Sequence, residues 1–352
     1  MRLKDIKTKE DVVLYLKNNE FSSGLFKIIK KEFNWDLSLL KEIENKIIWK
    51  DIQCFKPPES VARVYGDKIG WSYISGMYDY SEEFFRDFSD KLDWKRISYI
   101  SLSEAFINDF VDKLDLNQIS MYSKISEAFI RKHQNRLNWY RVVAHQKLSE
   151  SFIEEFEDKL DWNYVTTWQK LSEPFIRKHQ DKLDFELIAR HQNLSESFIE
   201  EFWDKFRSHL IFIVSNQNLS EKFIENHADK LDWTTISREQ KLSEPFMRKH
   251  QNKLNWIYIS QDQILSEGFM REFKDKIAWL FVSINQKLSK EFIEEFSDLL
   301  PTAYIIKNKK CKKIPLSYVL HYFRDPSKEL LKLKKRMDED EFDLLKNILE
   351  II

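Results

Sequence analysis

Residues 148–170 read LSESFIEEFEDKLDWNYVTTWQK, and residues 171–193 follow with LSEPFIRKHQDKLDFELIARHQN. The string LSE-x-F stands at Leu102, Leu148, Leu171, Leu194, Leu219, Leu242 and Leu265, which makes the chain a repeat array. Counted from the Ser or its equivalent, copies begin at Asp36, Pro58, Ser81, Ser103, Ser126, Ser149, Ser172, Ser195, Ser220, Ser243, Ser266 and Ser289. The steps are 22 or 23 residues with a single 25, twelve copies over roughly residues 36–307, the first two degenerate.

Each copy carries two helix signals. The first opens on a Ser able to cap and a Glu in the first turn, as in Ser149-Glu150. Phe152, Ile153, Phe156 and Leu160 then form one apolar stripe, which predicts an amphipathic helix of about eleven residues. Pro174 and Pro245 sit in the first turn, where a missing N–H costs nothing. The second signal starts at a capping Asp or Asn (Asn138, Asp161, Asp232) followed by Trp, with an Ile or Val three residues later and Gln169 or its equivalent closing the face. A helix of about eight residues is unstable alone, so it must be held by stacking on its neighbours.

Trp fills this position in eight copies (Trp49, Trp71, Trp94, Trp139, Trp162, Trp233, Trp256, Trp279), and Leu116 and Phe185 replace it in two. Its period matches the apolar stripe, so these rings are expected in the core. The recurrent Ser and Gln of the short helix, such as Ser237 and Gln240, are expected to bond free backbone groups at the repeat junctions. On the first helices Arg131-Lys132, Glu154-Glu155, Arg177-Lys178 and Glu200-Glu201 alternate in sign, so neighbouring copies can pair charges.

The 23-residue pattern LSExFIxxFxDKLDWxxISxxQ resembles the short helical repeats of uncharacterised proteins of giant DNA viruses and large phages. The likeness spans roughly residues 58–300. It implies an all-α solenoid of viral type and carries no catalytic motif. The two-residue insertion around Arg207-Ser208-His209 departs from the pattern.

Composition narrows the function classes. Of 352 residues 42% are apolar, enough for a large core without metals or disulfides. Lys+Arg 57 against Asp+Glu 58 leaves a net charge of −1, which removes the broad cationic field of a dedicated nucleic-acid or membrane binder. Only 5 glycines occur, where average composition gives about 25, so hairpin-rich folds and glycine-cradled phosphate sites are not expected. Cys54 and Cys311 are the only thiols, the start MRLKDIKTKED is too charged for a secretory signal, and no apolar run reaches the length of a membrane span. A cytoplasmic protein is the expectation.

If Trp162, Val165, Thr166 and Gln169 point inward, the positions 14, 15, 18 and 19 residues after the Ser point out, and these vary most between copies. Among them stand Tyr122, Tyr140, Arg141, His145, Tyr164, Trp168, Arg190, His191, Arg238, Tyr258 and Phe281. Aromatic residues and Arg anchor protein interfaces, and a solenoid lines them up on one surface. Drift of unselected surface positions also produces variability, but accounts less well for so many rings on one face. The sequence therefore predicts a non-catalytic α-solenoid scaffold that binds a protein partner, a host factor if the viral likeness holds. The alternative is a modular or sequence-tolerant RNA/DNA binder, against which Glu186, Glu239 and Asp262 on the same face argue.

Catalytic and metal signals are weak. His133, His179, His227 and His250 occupy the place of Phe110, Phe156, Phe202, Phe273 and Phe296, so each is expected to be half-buried with one nitrogen bonded. No Cys or carboxylate pattern completes a tetrahedral set, and no HExxH, GxSxG or Walker-type motif occurs. No enzyme activity, metal or cofactor is expected.

The ends read as caps. Residues 1–35 predict one or two helices starting near Thr8-Lys9-Glu10-Asp11. Pro301-Thr302 replace Asp-Trp, so the regular stack is expected to stop there, and residues 308–352 are assigned to a basic segment with helices near 315–323 and 327–350, parted by Asp325-Pro326. The run Lys307, Lys309, Lys310, Lys312 and Lys313 reads as a solvated linker; a nuclear-import signal or a contact with an acidic partner is the other reading.

Overall fold

A computed structural model describes residues 2–322 and 334–351. Every regular element among the described residues is helical, and successive two-helix repeats stack in solenoid fashion. The chain forms two compact units, Met1–Lys170 and Leu171–Ile352.

In the first unit, helices Lys9–Asn18 and Ser23–Glu32 precede the array, and Thr8 caps the former in a reciprocal box with Asp11. The regular repeat is clearest in the copy that begins at Ser149. Ser149 caps helix Glu150–Glu155 by accepting from the Phe152 amide, a turn follows, and Asp161 caps helix Trp162–Trp168 by accepting from the Asn163 amide. The first helix is thus six residues long, not eleven, because Phe156 leaves the helical region at φ −115°, ψ 24°. The stripe survives the shortening. Phe152, Ile153, Phe156 and Leu160 are all buried, the last two from the turn.

The tryptophans depart from the expected core position: they are half-buried. Trp139 lies against Phe156 and Phe152 of the next copy, at 5.0 and 6.3 Å, and the Lys159 ammonium covers it at 5.6 Å. The Trp94 indole N–H donates to the Ser89 carbonyl in the turn between the two helices of its copy, which keeps that edge near water. Each indole therefore seals a junction between copies instead of filling its centre.

The centre is held by glutamine. Gln146 Nε2 donates to Ser120 O and Ser123 O while its Oε1 accepts from Ile125 N, and Gln169 repeats the bonds with Val143 O, Gln146 O and Leu148 N. Each amide satisfies three backbone groups that the short helices and tight connections leave open. The junction glutamine role was legible in the sequence. A second rung was not: in most copies the Glu after the capping Ser accepts the backbone N–H of the next copy's Ser, as Glu127 does from Ser149 at 2.6 Å and Glu244 from Ser266 at 2.7 Å. Arg131 pairs with Glu155 of the next copy at 2.6 Å and lies over Phe152 at 4.9 Å, the charge pairing expected from the alternating helices. Being exposed and screened by solvent, such pairs favour correct register and solubility more than stability.

The second unit repeats the scheme. Gln217, Gln240, Gln263 and Gln286 form rungs, Glu173 accepts from Ser195, and Arg177 pairs with Glu201 at 2.8 Å. The insertion adds helix Trp203–Phe206 and makes Leu210 the start of the short helix. Against expectation the stack continues past Pro301. Helix Thr302–Lys307 takes a short-helix place, and Asn308 Nδ2 bonds Ser283 O and Gln286 O as a glutamine would. Helix Leu316–Tyr322 matches the sequence reading, but residues 334–337 form a turn and the terminal helix spans Glu339–Ile351. Asp325 and Pro326 lie outside the described residues.

Candidate functional site: the outward face of the short helices

A seven-residue helix makes about two turns, so the side chains not used for Val165, Thr166 and Gln169 must leave by the other side. In the first unit this puts Tyr140 and Tyr164 on the surface, 48% and 41% exposed, with their rings edge to face at 4.4 Å. Trp168 is 54% exposed, and His145 is exposed. Tyr122 is also exposed and packs on Tyr99 at 5.6 Å. Tyr99 stands among the variable positions, but a local sequence reading gives no reason to prefer it; its contact with Tyr122 does. A small cavity of about 200 Å³ lies beneath the Tyr140 and Tyr164 pair, lined also by Trp139, Val143, Lys159, Leu160 and Asp161. Arg141 is only half-buried and donates to the Asn117 carbonyl at 3.2 Å, so its fork is partly engaged.

The five predicted residues in the second unit behave differently. Arg190 is exposed, but pairs with Glu186 at 2.8 Å and lies 3.5 Å from the centre of the Phe212 ring. Arg238 pairs with Glu239 at 2.7 Å and covers Tyr258 at 5.5 Å. Tyr258 and Phe281 are half-buried, Tyr258 under the Arg238 guanidinium, while His191 is exposed. Two other outward positions turn in: Ile100 in the first unit and Thr235 in the second are buried, Thr235 donating to the Asp232 cap. Exposed rings on the short helices thus concentrate in the first unit, with Tyr304 on helix Thr302–Lys307 exposed in the second.

Of the histidines in Phe places, His227 and His250 are half-buried as expected, whereas His133 and His179 are buried, and their bonding differs. His250 Nε2 lies 3.2 Å from Glu225. His133 packs on Phe129 at 4.5 Å and its Nε2 has no hydrogen-bond partner, contrary to expectation; burial and then the nearby Lys132 and Arg136 push its pKa down. Among the described residues no three His, Cys, Asp or Glu side chains converge as a metal ion requires, and no helix is long and apolar enough to cross a membrane. The two cysteines are unpaired, Cys54 exposed and Cys311 buried.

Comparison of the chain with protein-family models, curated protein sequences and solved structures finds no match.

Proposed function

We propose that this chain is a non-catalytic repeat scaffold that captures a protein partner on the outward face of its short helices, centred on Tyr140, Tyr164 and Trp168. One observation carries the reading: Tyr122, Tyr140, Tyr164 and Trp168 remain exposed on short helices whose other apolar side chains are buried or half-buried, and Tyr99, exposed in the turn after helix Trp94–Ile97, packs against Tyr122. Rings of this kind add large contact area at little entropic cost when a partner covers them. The likeness of the repeats to those of viral proteins extends the proposal to a cytoplasmic viral protein and a host factor.

Replacing Tyr140, Tyr164 and Trp168 together by Ala should remove partner recovery in an affinity pull-down from the native cell. A loss of roughly a hundredfold in affinity is expected for three anchors, with far-ultraviolet circular dichroism unchanged because none of the three packs in the core. Undiminished recovery refutes this face as the binding surface. A steep log–log fall of mixed nucleic-acid binding with salt would instead support the RNA/DNA alternative.

A further inference from the structure

The residue just before each LSE leucine is polar in the neighbouring copies: Lys147, Lys170, Asn193, Asn218, Lys241 and Lys287. In one copy it is Ile264, and its side chain is 94% exposed. The fold accepts Lys or Asn there, so an isoleucine in water does nothing for folding. A lone exposed apolar residue is ordinary; this one stands at the rim of a depression of about 500 Å³.

The depression is formed where the array meets the C-terminal segment. Its apolar lining comes from Ile264, Leu265 and Leu288, and its charged lining includes Lys287, Lys310, Lys312 and Lys313. Five lysines line it against three carboxylates, Lys290 being the fifth. Most of these charges are already engaged. Lys310 donates to Asn285 O, Lys313 to Met337 O, and Lys290 bridges Asp338 and Glu341. Glu267 accepts both the N–H and the O–H of Ser289. Lys287 and Lys312 are exposed and have no carboxylate partner among the described residues, while Glu291 is the one lining acid with no basic partner or hydrogen bond among them. The site thus offers an apolar hollow with surplus positive charge, and holds part of the basic run Lys307–Lys313.

We propose that this depression is a second docking site, separate from the outward aromatic face, for an acidic peptide segment that inserts one bulky apolar side chain beside Ile264 while its carboxylates meet Lys287 and Lys312. A hollow of this size fits a single large side chain with its adjoining backbone, and the ammonium groups at its edge select the sign of the flanking charge.

The test is calorimetric titration of the full chain with a synthetic nonapeptide of Glu and Asp carrying one central Phe. Binding that weakens with salt is expected. Ile264→Lys, which installs the residue of neighbouring copies and leaves the fold intact, should weaken it about tenfold or more. Lys287→Glu with Lys312→Glu should weaken it further and flatten its salt dependence. The Tyr140, Tyr164 and Trp168 triple variant should bind the peptide normally, which separates this site from the proposed partner face. No heat at millimolar peptide, an unaffected Ile264→Lys variant, or equal binding of a Lys-for-acid peptide overturns the proposal. Dimerisation of the chain that Ile264→Lys abolishes assigns the hollow to a second copy and also overturns it.

Discussion

Two junctions in the second unit meet the same backbone need in different ways. At an inner junction, Glu244 of one LSE accepts from the Ser266 amide at 2.7 Å, and Gln263 ties Ser237 O, Gln240 O and Leu242 N together. At the closing junction the motif reads LSK, and Lys290 stands where the Glu belongs. Its ammonium binds Asp338 at 2.9 Å and Glu341 at 3.0 Å, which pushes its pKa up. Glu341 in turn accepts from Leu316 N at 3.3 Å, and Asn308 stands in for the glutamine. Below it, the Arg336 guanidinium donates to the carbonyls of Ile306, Asn308 and Cys311. Inside the array each copy supplies the bonds of its neighbour; at the end, one inverted charge and one arginine let a different segment do so. The repeat is therefore defined by unfilled backbone groups as much as by apolar packing.

The harshest way to break the inner junction is to remove a rung. Gln240→Leu keeps the volume but leaves Val214 O, Gln217 O and Leu219 N buried without partners. Each such group costs about 1–3 kcal/mol, so a loss of about 3 kcal/mol or more is expected, read as a lower urea midpoint. Arg238→Ala, two residues away on the other side of the same helix, should leave the midpoint nearly unchanged. Equal effects would mean that the amide ladder is incidental to the stack.

This contrast also shows what the sequence made visible. The period, the Ser and Asp caps, the Phe-Ile stripe and the junction glutamines are legible because each is a local pattern repeated many times. Helix length was misjudged because the aromatic or His residue that ends the first helix also continues its apolar stripe, so periodicity cannot see the break at Phe156. The tryptophans were placed too deep because their indole N–H needs a carbonyl at the turn, a three-dimensional demand. The cross-junction bond from Glu to the next Ser spans 22 residues, and only the change from LSE to LSK hinted at it. For the candidate site, outward direction was legible for Tyr122, Tyr140, Tyr164 and Trp168. The self-engagement of Arg190 and Arg238 was not, since their partners Glu186 and Glu239 had been read only as signs of mixed charge.

The closing junction gives a sharper test, because pattern and structure disagree. Lys290→Glu restores the LSE motif, and the repeat pattern alone predicts a gain. The structure predicts a loss: a carboxylate there faces Asp338 and Glu341 and strips the latter's cation. Lys290 is only 20% exposed, yet its partners are partly solvated, so the cost is about 1 kcal/mol. Protection of the amides in residues 339–347 from hydrogen exchange should fall first, since that helix loses its tie to the array. A more stable variant would show that the LSE glutamate works without a following serine.

The smallest effect probes the inner glutamates by pH. Burial pushes the Glu173 carboxyl up, but the Ser195 N–H and Arg177 outweigh it and leave its pKa below the ordinary carboxylate value. The folded state therefore binds this proton less readily than the unfolded chain. Its stabilisation is present above the unfolded pKa and disappears as pH falls through the folded one. Glu173→Gln keeps an oxygen for the Ser195 amide but discards the charge. At pH 7 the variant should be less stable by under about 1 kcal/mol, the Glu173 side chain being 24% exposed, and the gap to the wild-type chain should narrow as pH falls below the ordinary carboxylate range. If the gap stays constant with pH, the glutamate acts as a neutral acceptor, and the inner junction differs from the closing one in geometry alone, without a role for charge.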